Sequence, residues 1–263
     1  MIGEHVLAGY GTGPGAREAL ALAREIASLG GGRLTVATVH PPGRPAAAGE
    51  ALTLLEQAAA DAPEADTAVQ EGRGVGRALS VLASRIGADL IVVGSAAGGA
   101  HGRIAVGSTA DHLLHSAPEA VMIAPAGYAP PAEGPGRITV AYVRRPQCDE
   151  AAVRAAHAAA RLEVPLRLLT LAVDGESAGP LLDDLALAAR LVTQTAELEP
   201  ETALAEGDDI AGAVDRAGWT DGELLVCASS EDASPHRVFV GEMALKMLRA
   251  APCPVAVLPR GYS

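Results

Sequence analysis

Gly94, Gly98, Gly99, Gly102, Gly107 and Ser108 lie in one stretch directly after the apolar run Leu90, Ile91, Val92 and Val93. The run reads as a buried strand, and Ser108 to Ser116 reads as a helix. A strand, a glycine-rich loop and a small hydroxyl residue at a helix start suit phosphate binding. Glycines let the main chain approach an anion, and the N–H groups of a first helical turn point at it. The candidate cradle is the backbone of Gly94, Gly98, Gly99, Gly102, Gly107 and Ser108. A plainer reading is a flexible loop whose helix is capped by Ser108, with Asp111 three residues on resembling a capping box. Both readings are open on these residues alone.

The chain carries an internal control. Residues 89–128 and 223–262 align without a gap at an offset of 134 (241 − 107). Leu90/Leu224, Ser95/Ser229, Arg103/Arg237, Gly107/Gly241, Ala117-Pro118/Ala251-Pro252 and Gly127-Tyr128/Gly261-Tyr262 all match. Upstream, Val6 to Tyr10 parallels Ile138 to Tyr142, and Glu71-Gly72 parallels Glu206-Gly207. The chain is a tandem duplication, with expected domains at 1–128 and 137–263 joined by the Pro/Gly-rich segment 129–136.

Residues kept in both copies should serve the fold, and residues kept only beside the glycines should serve a ligand. Arg103, retained as Arg237, is expected to be structural or exposed rather than a phosphate clamp. Gly107, retained as Gly241, is expected to serve close backbone packing. Ser108, however, becomes Glu242, Ala97-Gly98 becomes Glu231-Asp232, and Gly94 becomes Ala228. Two unit charges about 5 Å apart interact by about 3 kcal/mol at an effective dielectric near 20. That exceeds a helix-dipole benefit of about 0.3–1 kcal/mol. The second half is not expected to bind ATP.

The elements that must position these residues alternate. Strands are expected at Val6–Tyr10, Leu34–Val39, Thr67–Gln70, Leu90–Val93 and Val121–Ala124, with helices at Pro14–Leu29, Gly49–Ala60, Val75–Ile86 and Ser108–Ser116. Repeated βα units give a doubly wound parallel sheet with helices on both faces, and ligands sit outside the carboxyl ends of its strands. The last strand of each half would be an exposed edge, so the two are expected to pack against each other across a pseudo-two-fold axis.

Composition narrows the function further. The 263 residues are 49% hydrophobic with one Phe and one Trp, so the core must be aliphatic. A net charge of −12 argues against a nucleic-acid or anionic-membrane surface. No uncharged apolar run approaches the roughly 20 residues of a membrane span, and the N-terminus lacks a basic region before a long apolar run. Cys148, Cys227 and Cys253 lack CxxC spacing and are expected to be buried thiols in a reducing compartment, the cytoplasm.

With these motifs in hand, the chain resembles the universal stress protein family in its tandem form. The family's nucleotide loop reads Gly, two residues, Gly, nine residues, Gly and then Ser or Thr. Gly94, Gly107 and Ser108 fill three of those positions, and Ala97 stands at the second Gly. The resemblance implies two Rossmann-like domains, each a five-stranded parallel sheet, associating through their last strands, with ATP bound in some members only. The family often places Asp after the first strand to hold the nucleoside. Here that position is Gly11 or Val143, so neither half offers a carboxylate for the ribose.

His112 and His115 beside Asp111 could belong to a metal site, but no third ligand with supporting spacing appears, and a solvated helix face is the expectation. His40, at the end of the second strand, could touch a ligand in the crevice, but a loop histidine is the expectation. No nucleophile or Walker motif is present, so catalysis is not expected. Three readings follow. The first is a stress-linked module binding ATP or a related adenine nucleotide in the first half, with no metal beyond the Mg²⁺ accompanying ATP. The second is a nucleotide-free scaffold for an unidentified protein partner, and the third a slow ATPase. The intrachain pseudo-dimer could pair further into a homodimer.

Overall fold

The computed structural model describes residues 3–261, so Tyr262 of the matched Gly-Tyr pair lies outside the described residues. The first half comprises β1 (His5–Gly9), α1 (Ala16–Gly30), β2 (Arg33–His40), α2 (Pro45–Asp61), β3 (Asp66–Glu71), α3 (Val75–Ile86), β4 (Leu90–Gly94), α4 (Ser108–Leu114) and β5 (Ala120–Ala124). The second comprises β6 (Arg137–Ala141), α5 (Pro146–Leu162), β7 (Leu166–Val173), α6 (Ala178–Ala196), β8 (Glu201–Gly207), α7 (Ile210–Asp215), β9 (Glu223–Ala228), α8 (Glu242–Ala250) and β10 (Val255–Leu258).

Local chemistry explains the boundaries. α1 starts at Ala16, two residues later than expected, because Gly13 to Gly15 form the turn, with Ala16 N–H donating to Gly13 O at 3.2 Å. α2 starts at Pro45, four residues earlier than expected. A proline at the first helical position has the right φ, and its missing N–H would have no helical partner there. α1 and α3 stop at Gly31 and Gly87, both left-handed at φ 60° and 68°. α4 ends at Leu114, where His115 and Ser116 tighten into bonds to His112 O and Leu113 O.

The strands form one ten-stranded sheet in the order β3-β2-β1-β4-β5-β10-β9-β6-β7-β8. Pairing is parallel within each half and antiparallel only where β10 meets β5. The expected edge-to-edge pairing of the two last strands is thus present. Val255, Ala256 and Val257 lie opposite Ile123, Met122 and Val121. Met122 facing Ala256, its own repeat partner (256 − 122 = 134), puts the pseudo-two-fold axis between them.

Helices α1, α2, α5 and α6 cover one face around Leu22, Leu55, Leu168 and Val192. Helices α3, α4, α7 and α8 cover the other around Leu82, Leu114, Val214 and Leu248. Burying each such side chain contributes about 1.5–3 kcal/mol. The three cysteines are buried and free, and burial pushes the Cys227 thiol up to about 12. Among the described residues no helix is long and apolar enough to cross a membrane.

At the amino ends of the strands the halves diverge. Asp89 accepts the N–H groups of Gly3, Glu4 and His5 at 2.6, 2.9 and 3.2 Å. Its counterpart Glu223 is buried and ion-paired with Arg137 at 2.9 Å and Arg167 at 2.6 Å. Burial raises the Glu223 carboxyl, but Arg137, Thr139, Thr220 and Arg167 together hold it below the usual glutamate range.

Candidate functional site

Strand order reverses between β1 and β4, and a crevice of about 520 Å³ opens there at the carboxyl ends of the strands. One wall is the β1–α1 turn, Gly11, Thr12 and Gly13. Thr38 and His40 close the end of β2, and Glu50 and Leu54 project from α2. The facing wall is Gly94 to Ala97, followed by Gly107, Ser108 and Thr109 at the start of α4. Of the expected cradle residues, Gly94, Gly107 and Ser108 line this space, while Gly98, Gly99 and Gly102 do not.

Steric contacts give each glycine a reason. A Cβ on Gly94 would run into the Gly15 carbonyl, and one on Gly15 into the backbone of Ser95. The pair lets the β1–α1 turn touch the end of β4 main chain to main chain. A Cβ on Gly107 would sit 2.8 Å from Ala96 Cβ, whereas one on Gly241 would stand 3.5 Å from Ser230 Cβ. Gly98 is left-handed at φ 87°. A Cβ on Gly99 would meet Ser95 Oγ at 2.9 Å. Ala97 is not among the positive-φ residues, so its methyl group carries no backbone strain.

The expected cap is corrected. Gly107, extended at φ −91° and ψ 176°, is the N-cap of α4, Ser108 is the first helical residue, and no side-chain cap bond forms. Gly107 must lie against Ala96, which places the helix start one residue earlier than a capping Ser108 would. No capping box with Asp111 exists.

The loop from Ala96 to Ala105 is pinched at its base by a device present in both halves. Ala96 N–H donates to Ala105 O, and Ser230 N–H to Phe239 O, each at 2.8 Å. The buried Ser95 Oγ accepts Ala105 N–H at 2.8 Å, and Ser229 Oγ accepts Phe239 N–H at 3.2 Å. Beyond the pinch, Arg103 donates to Ala250 O at the end of α8, and Arg237 to Ser116 O just past α4, both at 2.7 Å. Each arginine thus caps a helix carbonyl end in the opposite half, the structural role expected of a residue kept in both copies.

The second half treats the same positions differently. Taking the repeat at the first strand (142 − 10 = 132), Gly13 corresponds to Arg145, and Ala97 corresponds to Glu231. The Arg145 guanidinium is ion-paired with the Glu231 carboxylate, bridging the two loops that flank the crevice in the first half. Arg260 adds a bond to Glu231 O at 2.5 Å. Gln147 and Ala228 replace the touching glycines Gly15 and Gly94. At the start of α8, Glu242 pairs with Lys246 at 2.7 Å, which holds its carboxyl below the usual range.

Among the described residues no lysine or arginine lines the open crevice, and no cluster of three metal-ligating side chains is found. His112 packs against Gly76 of α3, and His115 meets Phe239 edge to face at 5.2 Å. An anion here would be met by backbone N–H groups and helix starts. Sequence reading passed over Gly13 and Gly15, although Gly11, Gly13 and Gly15 recur directly after β1. Of the two readings of His40, the structure favours the crevice: the residue ends β2 and lines the space.

The universal stress protein family model matches residues 3–125 and again 135–259. This chain belongs to the universal stress protein family. Universal stress proteins of Mycobacterium tuberculosis and Mycobacterium bovis are each 30% identical to it, over 97% of this chain and 99% of theirs. A crystal structure of a universal stress protein from Archaeoglobus fulgidus superposes with a TM-score of 0.78 at 16% identity, covering 99% of this chain and 100% of that one, and shares its Rossmann-like fold. The tandem architecture of this universal stress protein is thus a whole-chain feature shared with these relatives.

Proposed function

We propose that this universal stress protein is a nucleotide-responsive binding module that takes ATP or a related adenine nucleotide in the first half only. One observation carries the reading: Gly13 and Ala97 leave the crevice open, whereas Arg145 and Glu231 tie the corresponding loops together. The open volume falls within the usual range for a small-molecule site, about 300–1,000 Å³. Phosphates would lie against the backbone at Gly107 and Ser108, and the base and ribose toward Thr38 and His40. Without a carboxylate at Gly11, ribose recognition falls to backbone groups and His40, so affinity is modest. The crevice supplies neither a metal cluster nor a positioned base, and turnover is not part of the reading.

Denaturing the purified protein and identifying released nucleotide tests this, followed by calorimetric titration of ATP with Mg²⁺. Binding of one ATP per chain, abolished by Ser108→Glu, is the expected result. Absence of both copurified nucleotide and heat at millimolar ATP would replace the proposal with the nucleotide-free scaffold.

A further inference from the structure

At the amino end of β1 the neighbours of one histidine fix where its proton sits. His5 opens the strand and, alone of the described histidines, is buried, at 5% exposed. Its Nε2 lies 2.8 Å from Thr35 Oγ1. Its Nδ1 lies 3.2 Å from Nη2 of Arg33, the residue opposite it in the β1–β2 register. A guanidinium can only donate, so Nδ1 accepts, and the single ring proton sits on Nε2 and is donated to Thr35. A second proton would fall on Nδ1. It would turn an acceptor into a donor aimed at a cation.

Other groups face the ring as well. The Ile86 carbonyl at the end of α3, Asp89 ahead of β4 and Asp66 at the start of β3 all favour the imidazolium. Burial first, and the Arg33 guanidinium second, outweigh them and hold the ring below the ordinary histidine range. The unfolded chain therefore takes up this proton first as pH falls. The stability tied to neutral His5 is complete above about pH 6.5 and is lost as pH drops toward the folded value. Glu25, Asp89 and Glu119, raised by burial, act with the opposite sign and strengthen the first half in acid. Only a comparison with a His5 variant isolates the histidine.

The second half has no such group. The repeat puts Arg137 at His5 (137 − 5 = 132), Pro165 at Arg33 and Arg167 at Thr35, and Glu223 at Asp89 (223 − 89 = 134). Arginines stay charged throughout the range in which histidine titrates. Glu223, held below the usual glutamate range, stays ionised there too.

We propose that His5 is an acid-sensitive latch of the first half: neutral, it holds the amino end of β1 on β2, and protonated, it lets the two part. β1 runs from His5 to the Gly11–Gly13 wall, so acid loosens the strand that carries the crevice while the second half stays closed.

The test is hydrogen exchange of the full chain at about pH 7.5 and about pH 5.5, corrected for the intrinsic pH dependence of exchange and read on peptides from β1–β2 and β6–β7. The opening constant of β1–β2 is expected to rise about three- to tenfold in acid, one proton's linkage below about pH 6.5, with β6–β7 changing less than about twofold. His5→Gln keeps a donor for Thr35 but cannot take a proton, and it should abolish the rise. Arg33→Gln, which removes the cation beside Nδ1, should reduce it. A rise that survives His5→Gln, or one shared equally by β6–β7, would overturn the inference. Should His5→Gln fail to fold, the exposed Arg33 decides: an undiminished rise in Arg33→Gln overturns it equally.

Discussion

The loops at the carboxyl ends of β1 and β4 can be compared with those at the ends of β6 and β9. In the first half Gly13 and Ala97 face an open crevice, and Gly15 and Gly94 bring two backbones into contact. In the second half Arg145 and Glu231 bridge the loops, and Gln147 and Ala228 exclude the glycine contact. Yet both loops keep the same serine pinch and the same arginine reaching across the seam. Duplication preserved what joins the halves and released what lines the crevice. Function in this fold lies in loops on a common scaffold, and one copy can lose a site without loss of the sheet.

The comparison can be broken in several ways, the largest effect coming from separating the halves. Residues 1–128 expressed alone expose β5 as an unpaired edge and should elute as a dimer or aggregate. A clean monomer in size-exclusion chromatography would show that the seam is dispensable. Next comes the contrast at the amino ends of the strands. Glu223→Gln leaves the buried Arg167 beside an uncharged amide, with the half-buried Arg137 keeping only Glu201 as an ion-pair partner, and should cost about 3–5 kcal/mol in denaturant unfolding. Asp89→Asn, which disturbs only backbone N–H bonds, should cost about 1–3 kcal/mol.

The same pair predicts a pH response. Because the folded Glu223 carboxyl titrates below its ordinary value, its contribution is complete above that value. The contribution is lost as pH falls through the lowered folded value. The stability gap between wild type and Glu223→Gln should therefore narrow below about pH 4. A gap that widens on acidification would contradict the ion-pair account.

Smaller effects sharpen the loop comparison. Gly94→Ala forces a methyl group into the Gly15 carbonyl and should cost about 1–3 kcal/mol. The mirror change Ala228→Gly should cost about 0.5–1 kcal/mol through backbone entropy alone. Arg103→Ala and Arg237→Ala should each cost about 1 kcal/mol, Arg103→Ala slightly the more because Arg103 also pairs with Asp215 at 2.9 Å, with nucleotide binding intact. Loss of nucleotide in Arg103→Ala alone would make that arginine a phosphate ligand after all.

Much of the architecture was legible because hydrophobic runs and the repeat report the same alternation, and the edge problem of the last strands has a simple solution within one chain. The role of Arg103 was legible too, since its retention as Arg237 set it apart from Ser108. What stayed hidden is non-local. Arg145 and Glu231 are 86 residues apart, and only folding brings them together across the crevice position. Gly15 and Gly94 likewise touch only because β1 and β4 are neighbours. The cap assignment failed because a hydroxyl residue three positions before an acid satisfies a local rule. Packing of Gly107 on Ala96 overrides that rule.

The central claim, that open loops confine nucleotide to one half, is tested by grafting the bridge. Calorimetric titration of ATP into Gly13→Arg/Ala97→Glu should show no binding, since a Cβ at Gly13 meets nothing within 4 Å and the pair reproduces Arg145–Glu231. Arg145→Gly/Glu231→Ala should still bind one ATP, because Glu242 and Asp232 continue to repel phosphate. Undiminished binding to the grafted protein, or two ATP molecules per wild-type chain, would contradict the account.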